Sequence, residues 1–431
     1  MNKQRGLSGI RIRIQSAFRT ALWIAGMLWL QAGIVIAILV SLNLVCWFFL
    51  SPIVHARRDD NPAVERAYPE IPWLREYYII YNDGVRTQWR PYVHYMMQEL
   101  KSSFINIDNK GIRATWNPRS GASSAVRPIR VFMFGGSTMF GDNARDDYTI
   151  PSFLSKYLAA QGMAMSVQVT NYGQEGYANT QEALLFEDEV RTGKVPDIVI
   201  FYDGANDVAT AFENDAAGGI YDEDTFSQLD LLRPEHRFRL AGYSAYSLIR
   251  FTDAGIMASL LAEKLAPNWG WFERRGKCAR SQSSSSTLDD ERLTADVVRT
   301  YLFNVNAVEA LAQRSGIRTL FFWQPVLFEK DRLSAFERSV EADEKRKCSG
   351  YAPFFIESYR KLRELDSQRR IVDLSRIFAG SAKSFYTDVA HLIEPGNEVV
   401  AKAMLPYVTH LLQDKEWLAS RRNMNPYQPD R

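Results

Sequence analysis

Two short stretches of this 431-residue chain carry residue types that could perform nucleophilic chemistry. The first is the sequence Gly-Gly-Ser-Thr at residues 135–138, which places Ser137 after a run of apolar residues. The second is Asp-Val-Ala-His at residues 388–391, which places a carboxylate three residues before an imidazole. A serine becomes a nucleophile when a base takes its proton, and the base needs a group that orients it. Ser137, His391 and Asp388 would fill these three roles.

Both stretches also have an ordinary structural explanation. Glycine and serine are common in turns, so Ser137 is either a nucleophile or a turn residue that caps the next helix. Asp388 and His391 are either a catalytic pair or a hydrogen-bonded turn at the surface. Of the five histidines, only His391 lies in a setting that favours catalysis. The others are His55, His94, His236 and His410.

Two further turns contain groups that could stabilise the oxyanion of an ester intermediate. One reads Asn-Tyr-Gly-Gln-Glu-Gly-Tyr and begins at Asn171, and the other reads Asp-Gly-Ala-Asn-Asp and begins at Asp203. The candidate oxyanion-hole donors are the backbone N–H groups of Ser137 and Gly176 and the side-chain amide of Asn206.

The elements that must position these residues form an alternating pattern from residue 128 onward. We predict strands at 129–134, 167–172, 197–202, 318–323 and 370–374. We predict helices near 150–161, 179–191, 291–315 and 398–412. This alternation predicts right-handed βαβ units and a parallel sheet, whose carboxyl edge would gather the turns named above. Before it, a short hairpin is predicted within 104–113.

Two other polar residues follow predicted strands. Gln324 is a candidate substrate contact, or alternatively an amide that hydrogen-bonds the backbone. Asp207 is interpreted as a cap of the following helix, because aspartate is favoured there.

Taken in chain order, these motifs resemble the SGNH (GDSL-like) hydrolase superfamily. The resemblance rests on Gly-Gly-Ser-Thr, Asn-x4-Gly, Gly-x-Asn-Asp and Asp-x-x-His, over about residues 126–412 without the insertion. It implies a flavodoxin-like three-layer α/β sandwich with a five-stranded parallel sheet in the order 2-1-3-4-5. It also implies Ser137 as nucleophile, His391 as base oriented by Asp388, and Gly176 and Asn206 as oxyanion donors.

One position departs from the family pattern, since Gly136 stands where many members have Asp in Gly-Asp-Ser. The Gly-Gly-Ser-Thr form resembles a membrane-anchored branch often found with bacterial envelope polysaccharide genes. The resemblance implies a serine esterase for small acyl groups, such as acetyl on a glycan, that works without a metal or organic cofactor. An O-acyltransferase with the same triad and a non-catalytic glycan-binding or scaffold protein are the alternatives.

The N-terminal region has the features of a membrane anchor. Its first 20 residues include no acidic residue and five basic ones, Lys3, Arg5, Arg11, Arg13 and Arg19. Residues 22–50 carry no charge, and a helix of this length would extend about 43 Å, enough to cross a hydrocarbon core. The basic start predicts a cytoplasmic N-terminus in the inner membrane and a periplasmic remainder. A signal peptide cleaved after Val-His-Ala at 54–56 is the alternative.

We therefore predict five regions. They are a cytoplasmic basic tail at 1–20, a transmembrane helix at 21–50, a stem at 51–124, a hydrolase-like domain at 125–413 with an insertion at about 208–290, and a polar tail at 414–431.

Composition limits the partners. Cys46 lies in the apolar helix, whereas Cys278 and Cys348 are either a disulfide formed in an oxidising compartment or two unrelated thiols. No cysteine or histidine spacing is typical of a metal site. The net charge of +2 does not indicate a nucleic-acid partner. The predicted partners are a membrane and an acyl ester, with a glycan as its candidate carrier; protein partners are unknown.

Overall fold

The computed structural model describes residues 2–59, 62–118, 127–162, 165–220, 287–366, 368 and 370–418. The chain divides into two compact units, one comprising Met1–Arg58 and Leu229–Phe272 and the other comprising Asp59–Gln228 and Glu273–Arg431. In the first unit the described residues form helix α1 (Asn2–Asp59). Its segment Leu22–Phe48 has a mean hydropathy of 2.2 and is long and apolar enough to cross a membrane, as an anchor or a signal sequence would be.

The second unit is built on seven strands in its described part. In chain order they are β1 (Thr87–Arg90), β2 (His94–Met97), β3 (Ile129–Gly135), β4 (Val167–Asn171), β5 (Ile198–Asp203), β6 (Arg318–Trp323) and β7 (Ile371–Asp373). The last five form a parallel sheet in the order β4-β3-β5-β6-β7, and β1 pairs with β2 as an antiparallel hairpin. The predicted fold class, with strand order 2-1-3-4-5, is confirmed.

Helices cover both faces of this sheet. In chain order, the helices of the described part of this unit are α2 (Pro62–Ala67), α3 (Leu74–Gly84), α4 (Ser137–Phe140), α5 (Ile150–Ala160), α6 (Asn179–Arg191), α7 (Ala205–Asn214), α8 (Thr287–Arg314), α9 (Ala335–Lys347), α10 (Tyr351–Leu365) and α11 (Glu394–Leu412). Apolar side chains of α5 and α11 form a core on one face, and those of α6, α7, α8 and α10 form a core on the other.

Strand periodicity explains why the sheet is buried on both sides. In β3, Val131 and Met133 belong to the core with α5 and α11, whereas Phe132 and Phe134 belong to the opposite core. Successive side chains of a strand point to opposite faces, so a strand between two helical layers has few polar positions. The rings of Phe134 and Phe201 on neighbouring strands stack with centroids 5.2 Å apart. This packing fixes the carboxyl ends of β3 and β5 side by side.

Two element predictions can be compared with the structure in detail. Within the predicted hairpin at 104–113, Ile107 and Arg113 form an isolated antiparallel bridge, and the backbone N–H of Asp108 donates to the carbonyl of Ile112 at 2.9 Å. The chain therefore turns back on itself there without forming two regular strands, and the regular hairpin strands lie earlier, at β1 and β2. Arg113 also bridges Asn171 at the end of β4, which places this turn at the edge of the sheet. The last helix begins at Glu394, since a proline is favoured in the first turn of a helix and does not delay its start.

Candidate active site

Ser137 lies at the carboxyl end of β3, in the tight connection to α4. Gly136 is the N-cap of this one-turn helix and Ser137 is its first residue, so the serine does not cap the helix. Gly141 ends the helix in a left-handed conformation with φ of 101°, which glycine adopts without steric cost. The Ser137 hydroxyl is thus held at the sheet edge by backbone geometry, and its Oγ contacts the ring of His391.

In the predicted triad, His391 lies within hydrogen-bond distance of both Ser137 and Asp388. Nε2 of His391 is 2.7 Å from Oγ of Ser137, and Nδ1 of His391 is 2.6 Å from Oδ2 of Asp388. The backbone N–H groups of Ala390 and His391 both donate to Oδ1 of Asp388 at 2.9 Å. With its Nδ1 proton held by the carboxylate, the imidazole has Nε2 available to accept the serine proton.

Asp388 is strongly biased toward its charged form. About half of its side chain is exposed (53%), and crowding by protein atoms on the remaining side raises its pKa. The charge of His391, its ring N–H and the two backbone donors outweigh this effect and hold the pKa of Asp388 well below its usual value. A carboxylate that stays ionised can stabilise an imidazolium throughout the working pH range.

A short loop before α11 fixes the spacing of Asp388 and His391. Tyr386 and Leu392 form an antiparallel bridge at its base, and the backbone N–H of Thr387 donates to the carbonyl of His391 at 2.9 Å. The hydroxyl of Tyr68 also donates to the carbonyl of Tyr386 at 2.6 Å. These hydrogen bonds hold the two sides of the loop together, which limits the motion of the His391 ring.

The predicted oxyanion donors lie around Gly136. Asn206, in the first turn of α7, donates through Nδ2 to the carbonyl of Tyr177 at 2.7 Å, which leaves the second amide hydrogen for a ligand. Gly176 has φ of 68°, a conformation that residues with a side chain rarely adopt. Ser137 opens a helix, so its N–H has no partner within that helix.

The glycine at position 136 has a steric reason. A Cβ placed there would lie 2.2 Å from Nδ2 of Asn206 and 3.0 Å from the carbonyl oxygen of Tyr177. Any side chain would therefore displace the Asn206 amide. The close approach of α7 to the turn that carries Ser137 explains why glycine, and not aspartate, stands at position 136.

Gln324 contacts Thr138, the residue after Ser137. Its side chain is buried, and its Oε1 accepts a hydrogen bond from Oγ1 of Thr138 at 3.4 Å. Its backbone is fixed by the carbonyl of Asp203 and the hydroxyl of Tyr359, at 2.8 and 3.0 Å. The predicted substrate contact stays a prediction, and contact with Thr138 is the interaction that the structure provides.

The connection after α4 is held by residues that the sequence did not single out. The fully buried guanidinium of Arg113 donates to the carbonyls of Phe140, Gly141 and Ala144 and pairs with Asp146. Helix α3 adds tyrosines, among them Tyr81, which donates to Asp142 at 3.2 Å. These contacts join segments far apart in sequence, so no local pattern could reveal them.

Three carboxyl groups lie buried behind Asn206. Glu182 and Asp203 are in hydrogen-bond contact, and Asp203 accepts from Asn179 at 2.9 Å and from Tyr301 at 3.2 Å. Asp207 accepts from the backbone N–H groups of Asn179 and Gly204. The N-cap of α7 is Gly204, so Asp207 is the third helical residue, which bonds back to the cap, and not the predicted N-cap itself. Burial raises the pKa of Asp203 to about 6, and burial followed by the charge of Asp203 raises that of Asp207 to about 7.

This cluster predicts that folding stability falls as the pH rises from about 4 to about 7. A carboxyl group whose pKa is raised in the folded state binds its proton more tightly there, so its stabilising effect is complete at low pH and lost above the folded pKa. Glu182→Gln supplies Asp203 with a permanent donor, and we expect a smaller loss of melting temperature between about pH 5 and pH 8. Glu364→Gln on the exposed face of α10 is the control. An unchanged pH dependence in Glu182→Gln would exclude this cluster as its source.

Two further points concern the cysteines and metal binding. Cys348 is buried at the end of α9, but Cys278 lies outside the described residues, so their disulfide stays a prediction. Within the described ranges, no group of three or more His, Cys, Asp or Glu side chains is arranged to hold a metal ion.

Comparison with known proteins gives only distant similarity. No family model and no curated protein matches the chain. Among solved structures, an acetyl xylan esterase is 17% identical, with 65% of this chain and 100% of that chain covered and a TM-score of 0.34. A lipase/acylhydrolase from Enterococcus faecalis is 11% identical, with 70% and 100% covered and a TM-score of 0.32. A member of the lipolytic G-D-S-L family from Veillonella parvula is 10% identical, with 65% and 98% covered and a TM-score of 0.34. At these values the similarity carries no conclusion about activity.

Proposed function

We propose that this protein is a membrane-anchored serine esterase that hydrolyses small acyl esters. The observation that carries the proposal is the contact chain from Ser137 Oγ to His391 Nε2 at 2.7 Å and from His391 Nδ1 to Asp388 Oδ2 at 2.6 Å. A hydrogen-bonded surface turn would not need a buried serine at the other nitrogen of the imidazole. The geometry fits acyl transfer through a serine ester.

The reaction would proceed in two steps. Oγ of Ser137 bonds to the carbonyl carbon while its proton passes to Nε2 of His391, and the oxyanion accepts hydrogen bonds from the N–H groups of Ser137 and Gly176 and from the Asn206 amide. The C–O bond to the alcohol then breaks, and the alcohol takes the proton from Nε2. A water molecule repeats the sequence, which releases the carboxylic acid and restores Ser137.

The substrate class and location are proposed on other grounds. Acetyl esters of an envelope or exported polysaccharide are our choice, because the Gly-Gly-Ser-Thr form resembles the membrane-anchored branch. The apolar segment Leu22–Phe48 after a basic start supports a single-pass anchor in the inner membrane with a cytoplasmic N-terminus and a periplasmic catalytic domain.

A fluorophosphonate probe tests whether Ser137 is activated. We expect the folded wild-type protein to carry one adduct at Ser137 by mass spectrometry, and both Ser137→Ala and heat-unfolded wild type to carry none, because labelling needs the base in place. Absence of an adduct on folded protein would instead favour the non-catalytic scaffold or glycan-binding alternative. Where labelling succeeds, the fate of the acyl group with an added glycan separates hydrolysis from O-acyl transfer.

A further inference from the structure

A second pair of carboxyl groups lies on the other side of His391 from Asp388. Asp142 follows α4 and Glu175 precedes the oxyanion residue Gly176, and their carboxyl groups are in hydrogen-bond contact with each other. Only 12% of the Asp142 side chain is exposed. Asp142 lies outside the motifs that the sequence identifies, and Glu175 occupies one of the unspecified positions of Asn-x4-Gly.

This contact needs a proton. Oδ1 of Asp142 and Oε1 of Glu175 are buried and accept a hydrogen bond from no donor among the described residues. Two ionised carboxylates repel each other, so oxygens brought together in this way share one proton. Burial first, and then the neighbouring Glu175, raise the pKa of Asp142 well above its usual value, and burial also raises the pKa of Glu175.

The pair is close to the reacting nitrogen. Oδ2 of Asp142 lies 3.6 Å from Nε2 of His391, the nitrogen that must pass its proton to the leaving alcohol. Asp388, in contrast, contacts Nδ1 on the far side of the ring. A full negative charge on Asp142 would hold the imidazolium and compete with Ser137 for the Nε2 proton.

We propose that Glu175 holds a shared proton against Asp142 and thereby limits the negative charge beside Nε2 of His391. The pair then acts as a positioning element that sets the pH at which the base becomes available. The inference rests on the proposed esterase function and deepens it.

The charged and titratable groups around the pair come from every element packed against it. Tyr81 of α3 donates to Oδ2 of Asp142 and also contacts Glu175, and the buried Arg113 exerts an opposing positive charge on both carboxyl groups. The other groups that face the pair or the ring are Tyr77, Tyr78, Ser137, Asp388 and His391. Substitution of either carboxyl group leaves all of these in place.

The test is the pH profile of kcat/KM for p-nitrophenyl acetate in two variants. In Glu175→Gln the amide donates to Asp142 and no proton is shared, so the negative charge is confined to Asp142 and the acid-limb midpoint moves up by about one pH unit. In Asp142→Asn the charge beside Nε2 is removed and the midpoint moves down by about one pH unit. Glu364→Gln makes the same carboxyl-to-amide replacement on the exposed face of α10 and leaves the midpoint unchanged.

The opposite signs separate this role from a structural one. A fixed fraction of misfolded protein lowers the rate by the same factor at every pH and does not move the midpoint, so variants of reduced activity remain informative. Midpoints that stay fixed, or that move in the same direction in both variants, overturn the inference while leaving the esterase intact. A wild-type protein with neither esterase activity nor probe labelling at any pH overturns the proposed function and this inference with it.

Discussion

His391→Ala lowers kcat for p-nitrophenyl acetate by about 10⁴-fold or more, the range expected for loss of the base from a serine triad. The physical reason is that Oγ of Ser137 has Nε2 of this ring at 2.7 Å to take its proton. Without the base the hydroxyl stays protonated and is a weak nucleophile. The melting temperature is expected to change little, since the ring is partly exposed.

The controls exploit the way in which triad residues act as a unit. His410→Ala makes the same change at an exposed position in the last turn of α11 and leaves kcat unchanged. The double variant Ser137→Ala/His391→Ala loses no more activity than either single variant, because each alone already removes the nucleophilic pathway. Retention of most of the activity in a folded His391→Ala protein would mean that another group acts as the base.

The fold was predictable because its signals are local. Four of the five sheet strands end at glycine, asparagine or aspartate, whereas β6 ends at Trp323, and helices occupy the intervals. The strand at 318–323 and the helix at 179–191 have the predicted bounds. The predicted hairpin at 104–113 is present only as a turn with one antiparallel bridge, because its second half is held by tertiary contacts, in this case the side chain of Arg113 reaching the residues after α4.

The residues of the candidate site also differ in whether the local sequence reveals them. Ser137, Asn206 and His391 lie in short motifs of glycine, asparagine and acidic residues, so sequence alone could single them out. Asp142 and Glu175 lie in ordinary turns, and what distinguishes them is contact across 33 residues of chain. Such a pair is created by packing of the α4 connection against the turn after β4. No spacing rule within either turn could have predicted it.

Gly136→Ala is expected to lower kcat by about 10²- to 10³-fold, the loss typical of one missing oxyanion donor. The backbone of Gly136 has φ of −76°, which alanine adopts freely, so the effect does not come from backbone strain. It comes from the added Cβ, which would lie 2.2 Å from Nδ2 of Asn206. The amide must move, and its 2.7 Å bond to the carbonyl of Tyr177 breaks.

Two comparisons test whether the loss of kcat in Gly136→Ala arises from displacement of the Asn206 amide. Gly380→Ala adds the same methyl group at an exposed glycine with no atom within 4 Å of the new Cβ, and activity stays unchanged. In the double variant Gly136→Ala/Asn206→Ala, the loss is no greater than in Asn206→Ala alone, since the methyl group has no amide left to displace. Losses that add in the double variant would mean that the methyl group disturbs Ser137 itself. A loss that depends on Asn206 would mean that the Gly-Gly-Ser sequence follows from how closely α7 approaches the turn that carries Ser137.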